Sequence, residues 1–575
     1  MPTLRQLAAV FFRVGNTTFG GPGHENFNPG TNLTFADFPF HHGAVDTPNV
    51  ASSQGVFNAN FNPKGQLGGI QDPGTPQPDK VFNLGGVNTR KVAPRNAPTA
   101  INAVFNSAVF WDGKSNRSFN GVNANGPTDA SAVWVASAPG AAPVKTKISL
   151  DHSSLAGLSA IVATSNVTFS YTGRSMPLVG RKVFGLVPLG FQRVDSNDSV
   201  FHGMVGPKGT GLNTSYQSMI QKAFLPQYWQ SSQPVPISAA PPGGTAPMGT
   251  QMEANFALFF GLATQTYEST LVSSSSPFDK FMQGNDNALT AEQLQGLLIY
   301  INTGQGGLPA SAAQGNCVAC HAGPEFTAAG ATTMNKTGFI SIVQMPVAGG
   351  GRIGSPGTAT AYVDNGFANI GVRPTAEDPA RGGSVAVGTN KVPMSWVRQA
   401  LAGTAGAPAL PPCGGSGQPV CPVNNRDAVQ GAFKIPSLRN IELTGPYFHN
   451  GGQATLKQAV DFYDSFDFSS QNIDNLDPRM LNVHIGKGDA TTLTSFLQSL
   501  TDPNVRNESA AFDHPQLFLP NGPGADNTVA CLTNGSCAGL ITLPAAGSPA
   551  NRPQGRAGAG LGAEPTFLNL DPHQG

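Results

Sequence analysis

The sequence predicts a mainly helical chain with extensive loops, divided into at least two core-forming units. Three observations predict it. At 575 residues the chain exceeds what one core usually serves. Gly (70) and Pro (48) make up about a fifth of the residues, against roughly 12% in average usage, so long ordered loops are expected. The periodic segments, from residue 253 onward, are helical. An apolar fraction of 39% suffices for folded cores.

Residues 1–95 read as loop rich in Asn, Gly, Pro and Phe. Residues 96–250 alternate short apolar runs with turns, and VTFSYTG and KVFGLVPLGF read as strands or buried segments. EANFALFFGLATQTYESTLVS is apolar all round, which suits a buried helix. In LTAEQLQGLLIYINTG, Thr290 and Gln293 form a capping box. Leu294, Leu297, Leu298 and Ile301 then recur at helical spacing, and Gly304 is the expected stop. Residues 324–432 read as largely loop, long enough to be functional rather than a simple connection. Two shorter helices follow near 455–464, capped by Thr455, and 489–501. The tail has no periodicity and is expected to wrap over the rest. The expected parts are 1–250, 251–503 and a loop-rich 504–575.

Thirty-three basic and 33 acidic residues cancel, with no basic stripe, which argues against nucleic acid as a partner. No apolar run approaches the roughly 20 residues of a membrane span. The opening, MPTLRQLAAVFFRVGN, fails as a secretory signal: Arg13 interrupts its short apolar stretch and no small-residue cleavage site follows.

Of six cysteines, four form two local pairs in Gly/Pro/Asn-rich loops, Cys413 with Cys421 and Cys531 with Cys537. Short loops between paired cysteines read as disulfides and point to an oxidising compartment. A metal site is the rival reading, but no His or further Cys lies close in sequence.

The other two open Cys317-Val-Ala-Cys320-His321, a C-x-x-C-H. Two thiols at this spacing can add to the two vinyl groups of a haem. His321, about one helical turn after Cys317, can then face the iron. With 6 Cys and 10 His the pattern arises by chance roughly once in a thousand such chains. A redox or zinc site with an accidental His is the alternative, but no βαβ pattern surrounds the motif and no second C-x-x-C exists. The motif predicts one covalent haem c. Such a haem belongs outside the cytoplasm in most bacteria, so a periplasmic or secreted protein is expected. Its leader is then either removed or encoded further upstream.

Four further segments carry a resemblance: RNAPTAINAVFNSAVFWDGK (95–114), SPFDKFMQGNDNALTAEQLQGLLIY before the motif, FANIGVRPTAEDPARGG (367–383) and FKIPSLRNIELTGPYFHNGGQATLKQAVDFYD (433–464). In this order they resemble the bacterial di-haem cytochrome c peroxidase family, which includes the MauG-type enzymes. The resemblance spans about residues 95–500, and its last segment is highly specific. It implies two cytochrome-c-like domains packed around a haem/calcium interface, with an electron-transferring haem held here by Cys317, Cys320 and His321. It implies that Trp111 sits between two haems as an electron relay; a core aromatic is the equal alternative. It implies calcium at Asn96, Thr444 and Pro446, whose oxygens suit a hard cation. It also implies a sixth iron ligand 14 residues after the histidine of PYFH, which from His449 is Tyr463. Many members carry Met there and the MauG type carries Tyr. An anionic oxygen would favour ferric and higher oxidation states; the alternative is that Tyr463 only packs. Met345 and Met394 are weaker ligand candidates.

Two features depart from the family pattern. The family's peroxidatic haem has its own C-x-x-C-H upstream of the RNAPT segment, yet residues 1–94 contain no Cys. Either the chain begins inside that segment, or the N-terminal unit has lost its covalent haem. His24, His41 and His42 could ligate a non-covalent second haem, or be polar loop residues. The family's acidic residue near the peroxide site also has no counterpart here, since 140–180 holds only Asp151 as a carboxylate. The expected function is reduction of hydrogen peroxide, with electrons from a small cytochrome c or cupredoxin entering through the C-terminal haem. A mono-haem electron-transfer protein and MauG-like oxidation of a protein substrate are the alternatives. A homodimer is one assembly the resemblance allows.

Overall fold

The computed structural model describes residues 34–40, 50–63, 72–84, 87–239, 244–304, 313–347, 358–464, 475–520, 540–547 and 566–575, together with strand Pro22–His24. His41, His42, Cys531 and Cys537 lie outside the described residues.

Among the described residues the helices are α1 Ser154–Thr164, α2 Met176–Val183, α3 Tyr216–Ala223, α4 Gln251–Ala254, α5 Phe256–Glu268, α6 Pro277–Met282, α7 Ala291–Ile301, α8 Ala331–Thr337, α9 Trp396–Leu401, α10 Leu456–Asp464, α11 Lys487–Gln498 and α12 Pro503–Arg506. Among the described residues strands occur only as two-stranded pairs. Helices joined by much loop match that part of the expectation.

The larger core gathers Phe119, Phe201, Phe256 and Phe259, all fully buried, around α1, α3 and α5. Each such ring contributes about 2–3 kcal/mol through burial. The helix expected to be apolar all round is α5, and its residues are buried on nearly every side. Gly261 lets it approach α1 closely: a Cβ there would sit 2.8 Å from the Ala156 carbonyl oxygen. The α5 helix therefore packs with residues from the first half of the chain.

A second core joins α7, α10 and α11 through Ile299, Tyr300, Leu456, Val460, Leu493 and Phe496. Thr290 caps α7 as expected, its hydroxyl accepting from the Gln293 amide and the Gln293 side chain accepting from the Thr290 amide. The buried face differs from the expected leucine row. Leu298 and Ile301 are exposed, and Gly296, Ile299 and Tyr300 face inward. Gly296 decides this, because it lets α7 lie directly against α11: a Cβ at Gly296 would meet the Thr492 carbonyl at 2.3 Å and the Phe496 Cβ at 2.6 Å. Thr455 caps α10, accepting from the Gln458 amide at 3.1 Å.

One expectation is corrected and one refined. VTFSYTG and KVFGLVPLGF form no strands; the first is turn and the second starts in α2 and continues as turns. The segment 324–432 is largely loop, as expected, but it also carries elements the sequence reading did not place. It holds α8, α9, the hairpin β1 Ile340–Pro346 with β2 Thr358–Asp364, strand β3 Phe367–Ala368 and the hairpin β4 Ser384–Val387 with β5 Asn390–Pro393. The β-branched runs ISIV and TATAYV carry the strand signal. The Gly-rich stretch between them is too long to read as a hairpin turn. Strand β6 Phe433–Lys434 pairs with β3, Phe367 opposite Lys434. Cys413 and Cys421 are bonded as expected.

The tail touches both cores. Phe512 packs on the first, and the Lys457 amide at the start of α10 donates to the Pro572 carbonyl at 2.9 Å. The Gly296 contact gives a test. Gly296→Ala is expected to cost about 1–3 kcal/mol through overpacking. Gly488→Ala, on α11 with no atom within 4 Å, should be neutral or stabilise by up to about 1 kcal/mol. Denaturant titration of both variants reads the difference.

Candidate haem site

The motif follows α7. His321 N–H donates to the Cys317 carbonyl at 2.8 Å, so the chain makes the expected single turn. Asn316, at φ 51, starts that turn, and its side chain donates to the Arg479 carbonyl at 2.9 Å. Both thiols are free and burial pushes each to about 12.

His321 Nδ1 lies 3.1 Å from each of two carbonyl oxygens, those of Phe326 and Pro436. Carbonyls only accept, so Nδ1 carries the proton and Nε2 presents its lone pair. Burial holds this imidazole neutral, pulling it down to about 4. The Tyr300 hydroxyl donates to the His321 carbonyl, and Arg479 donates to the Ala319 carbonyl at 3.0 Å while paired with Asp477 at 2.6 Å.

The motif opens on a cavity of about 1200 Å³, its open mouth included. Cys317, Cys320, His321, Trp111 and Tyr463 all line it. The rest of the wall is mostly aliphatic or aromatic, including Ile370, Val372, Leu456 and Val460. Tyr463 packs edge-on against Phe462 at 5.4 Å and Phe448 at 6.1 Å. Its hydroxyl has no hydrogen-bond partner among the described residues. Burial and the nearby Cys320 and Cys317 push its phenol up. Trp111 Nε1 donates to the Asn96 carbonyl at 2.8 Å, and the Trp111 carbonyl accepts from the Lys434 amide at 2.7 Å.

Asn96 and Pro446 also meet, the Asn96 amide donating to the Pro446 carbonyl. The Thr444 hydroxyl donates to the Ile441 carbonyl at 3.1 Å. As oriented, this group satisfies itself through hydrogen bonds. No group of three or more His, Cys, Asp or Glu able to hold a metal ion occurs among the described residues.

Met345 and Met394, the weaker ligand candidates, do not line the cavity. Met345 packs with Ala361 and Ala428 on β1, and Met394 lies against Gly383. Asp151 is half-exposed and paired with Arg117 at 2.7 Å, away from the cavity wall. His24 falls in strand Pro22–His24.

Several lining groups escaped sequence reasoning: Tyr300, Lys434, His449, Arg479 and Met480. His449 stacks on Phe433 at 3.6 Å and lies edge-on to Trp111 at 6.4 Å. Burial keeps it neutral, pulled down to about 3. Its place within PYFH was the only available signal. Met480 is buried 17 positions beyond Tyr463, where no motif points to it.

Two free thiols and an oriented, neutral imidazole on the wall of a large apolar cavity fit a covalently attached haem, so the class is a c-type haem protein. The chain is similar to bacterial cytochrome c peroxidases and to MauG proteins. It is 24% identical over 265 residues to cytochrome c551 peroxidase of Nitrosomonas europaea, covering 46% of this chain and 48% of that protein. It is 23% identical over 439 residues to cytochrome c551 peroxidase of Pseudomonas aeruginosa, covering 76% and 72%. It is 22% identical over 238 residues to the methylamine utilization protein MauG of Methylophilus methylotrophus, covering 41% and 45%. The matched segment thus spans under half of the Nitrosomonas and Methylophilus proteins. The solved diheme peroxidase BthA from Burkholderia thailandensis aligns over 92% of this chain and 89% of its own, at 14% identity and a TM-score of 0.34. No family model matches.

A salt bridge holds this site from behind. Arg439 donates twice to Asp279, at 2.9 Å each, and once to the Pro324 carbonyl at 2.7 Å. It thereby ties α6 to the loop after His321. Burial alone would raise the Asp279 carboxyl, but the hydrogen bonds from Arg439 and Ser276 outweigh it and hold the group below the usual carboxylate range. Asp279→Asn is expected to cost about 2 kcal/mol at neutral pH. A depressed carboxyl stabilises above its unfolded value and loses that contribution as pH falls through its folded value. Urea midpoints of the two proteins should therefore converge as the pH falls below the ordinary carboxylate value of about 4.

Proposed function

We propose that the chain is a haem-dependent oxidoreductase that reduces hydrogen peroxide with electrons from a small donor protein, such as a cytochrome c or a cupredoxin. One observation carries the reading: Cys317, Cys320, His321, Tyr463 and Trp111 line a single apolar cavity. Bound there, a haem supplies one-electron redox chemistry at its iron. Cys317 and Cys320 hold it by thioether bonds, and His321 offers Nε2 to the iron. Tyr463 offers an unpartnered hydroxyl oxygen. Trp111, anchored at Nε1 and at its carbonyl, holds its ring at the wall through which electrons leave toward a second site.

The calcium ion is part of this proposal. With the Asn96 amide turned over, its oxygen and the Pro446 carbonyl are donors of the kind a hard cation takes, with Thr444 as the third member. The same proposal divides the chain into 1–250, 251–503 and 504–575, with α5 serving the first core. The Cys413–Cys421 disulfide supports a periplasmic or secreted location. No helix among the described residues is long and apolar enough to cross a membrane.

Tyr463 favours a second reading, oxidation of a protein substrate as in the MauG type, because an anionic oxygen ligand supports higher oxidation states. A pyridine haemochrome assay should give covalent haem in the wild type and none in a Cys317→Ala/Cys320→Ala variant. Peroxide should drive oxidation of a reduced small cytochrome, and Trp111→Phe should lower kcat by about tenfold or more at unchanged donor KM. One haem per chain without peroxide turnover would leave only an electron-transfer protein. Tyr463→Phe should change the low-spin ferric spectrum; an unchanged spectrum rules out its ligation.

A further inference from the structure

The haem cavity contains a cation that the peroxidase reading does not use. Lys434 lies in β6, is 6% exposed, and lines the cavity. Its backbone amide is taken by the Trp111 carbonyl. Its ammonium has no hydrogen bond or ion pair among the described residues. Arg479, the other permanent cation of the wall, is matched by Asp477. Just behind the wall, Arg95 is matched by Asp112 and Asp378. Lys434 has no such match, and burial alone accounts for the pull of its ammonium down to about 8. It is also close enough to His321 for its charge to weigh on that imidazole.

A buried ammonium without a counter-charge costs several kcal/mol. A chain that retains one beside a ligand cavity has placed it for an anion that arrives with the ligand. A haem carries two propionate carboxylates and needs charge or water to meet them. Arg479, the only other cationic side chain that lines the cavity among the described residues, is already matched. We propose that Lys434 is the counter-cation of a haem propionate, and that it positions the porphyrin edge next to Trp111 and raises the reduction potential of the iron. This rests on the covalent-haem reading. Lys434 is a positioning residue here, with no bond to the iron. The sign follows from charge: a fixed cation disfavours the ferric state, which carries one more positive charge than the ferrous state.

The test uses the full haem-loaded chain with Lys434→Gln and Lys434→Arg. Haem content is measured first by pyridine haemochrome; a wild type without haem overturns both the covalent-haem reading and this one. With haem present, Lys434→Gln should keep the haem content and the ferric spectrum. It should shift the ferric/ferrous equilibrium at least about tenfold toward ferric, which is 59 mV lower for a one-electron couple. Lys434→Arg should stay within about threefold of wild type. A role in packing alone would not reproduce this split. Equal potentials in all three proteins overturn the assignment and leave the haem reading standing. A ferric spectrum altered in Lys434→Gln also overturns it, since Lys434 would then be an iron ligand. Should Lys434→Gln fail to fold, the wild type still decides. The propionate bending band in its resonance Raman spectrum should shift in heavy water, as bonding to an exchangeable ammonium requires. An unshifted band overturns the pairing.

Discussion

The site depends on one shared proton. His321 Nδ1–H lies between the carbonyls of Phe326 and Pro436, and this alone fixes which ring nitrogen faces the cavity. The two carbonyls come from segments far apart in sequence. They meet because 433–439 is laced to the loop after the motif: the Thr327 hydroxyl donates to the Ile435 carbonyl at 2.5 Å, and the Ser437 hydroxyl donates to the Glu325 carbonyl at 2.7 Å. Each bond contributes only about 1 kcal/mol, but together they hold the His321 imidazole in one orientation.

The same lacing explains the polarity of the cavity. Backbone groups near the motif are satisfied by Tyr300, Arg479 and Thr327. The rest of the wall's front is mostly aliphatic and aromatic side chains. Low polarity at the front is what holds His321 and His449 neutral. The aromatic run Trp111, His449 and Phe433 stands on one edge of this front. Phe110 and Phe448, the residues before Trp111 and His449, have φ values of 67 and 66. Left-handed backbone costs an aromatic residue roughly 1–2 kcal/mol, so packing forces both turns.

Much of this was legible in the sequence where chemistry is local. The C-x-x-C-H spacing announced the single turn that brings Cys317, Cys320 and His321 to one wall, and Thr290 with Gln293 announced a helix start, because neither depends on the rest of the chain. The buried face of α7 was not legible, because a glycine at 296 outranked the leucines by permitting backbone contact with α11. The hairpin β1–β2 was hidden by the length of its glycine-rich connection. Lys434 and Arg479 were unreadable for a different reason. A lysine or arginine in sequence signals solvent, and only the tertiary packing puts these two at the wall. Tyr463 was reached by resemblance; its spacing alone marks an aromatic on a helix face.

The residues at 570–574 rest on the start of α10. Lys457 N–H donates to the Pro572 carbonyl, the Thr455 hydroxyl donates to the Gln574 carbonyl, and His573 meets Gln498 of α11 at 2.8 Å. A chain grows from its N-terminus, so these contacts form after every other part of the cavity wall has been synthesised. The helix that carries Tyr463 receives its clasp last. One short stretch of chain thus grips both α10 and α11, so the helix that carries Tyr463 and its neighbour in the second core share a single fastening.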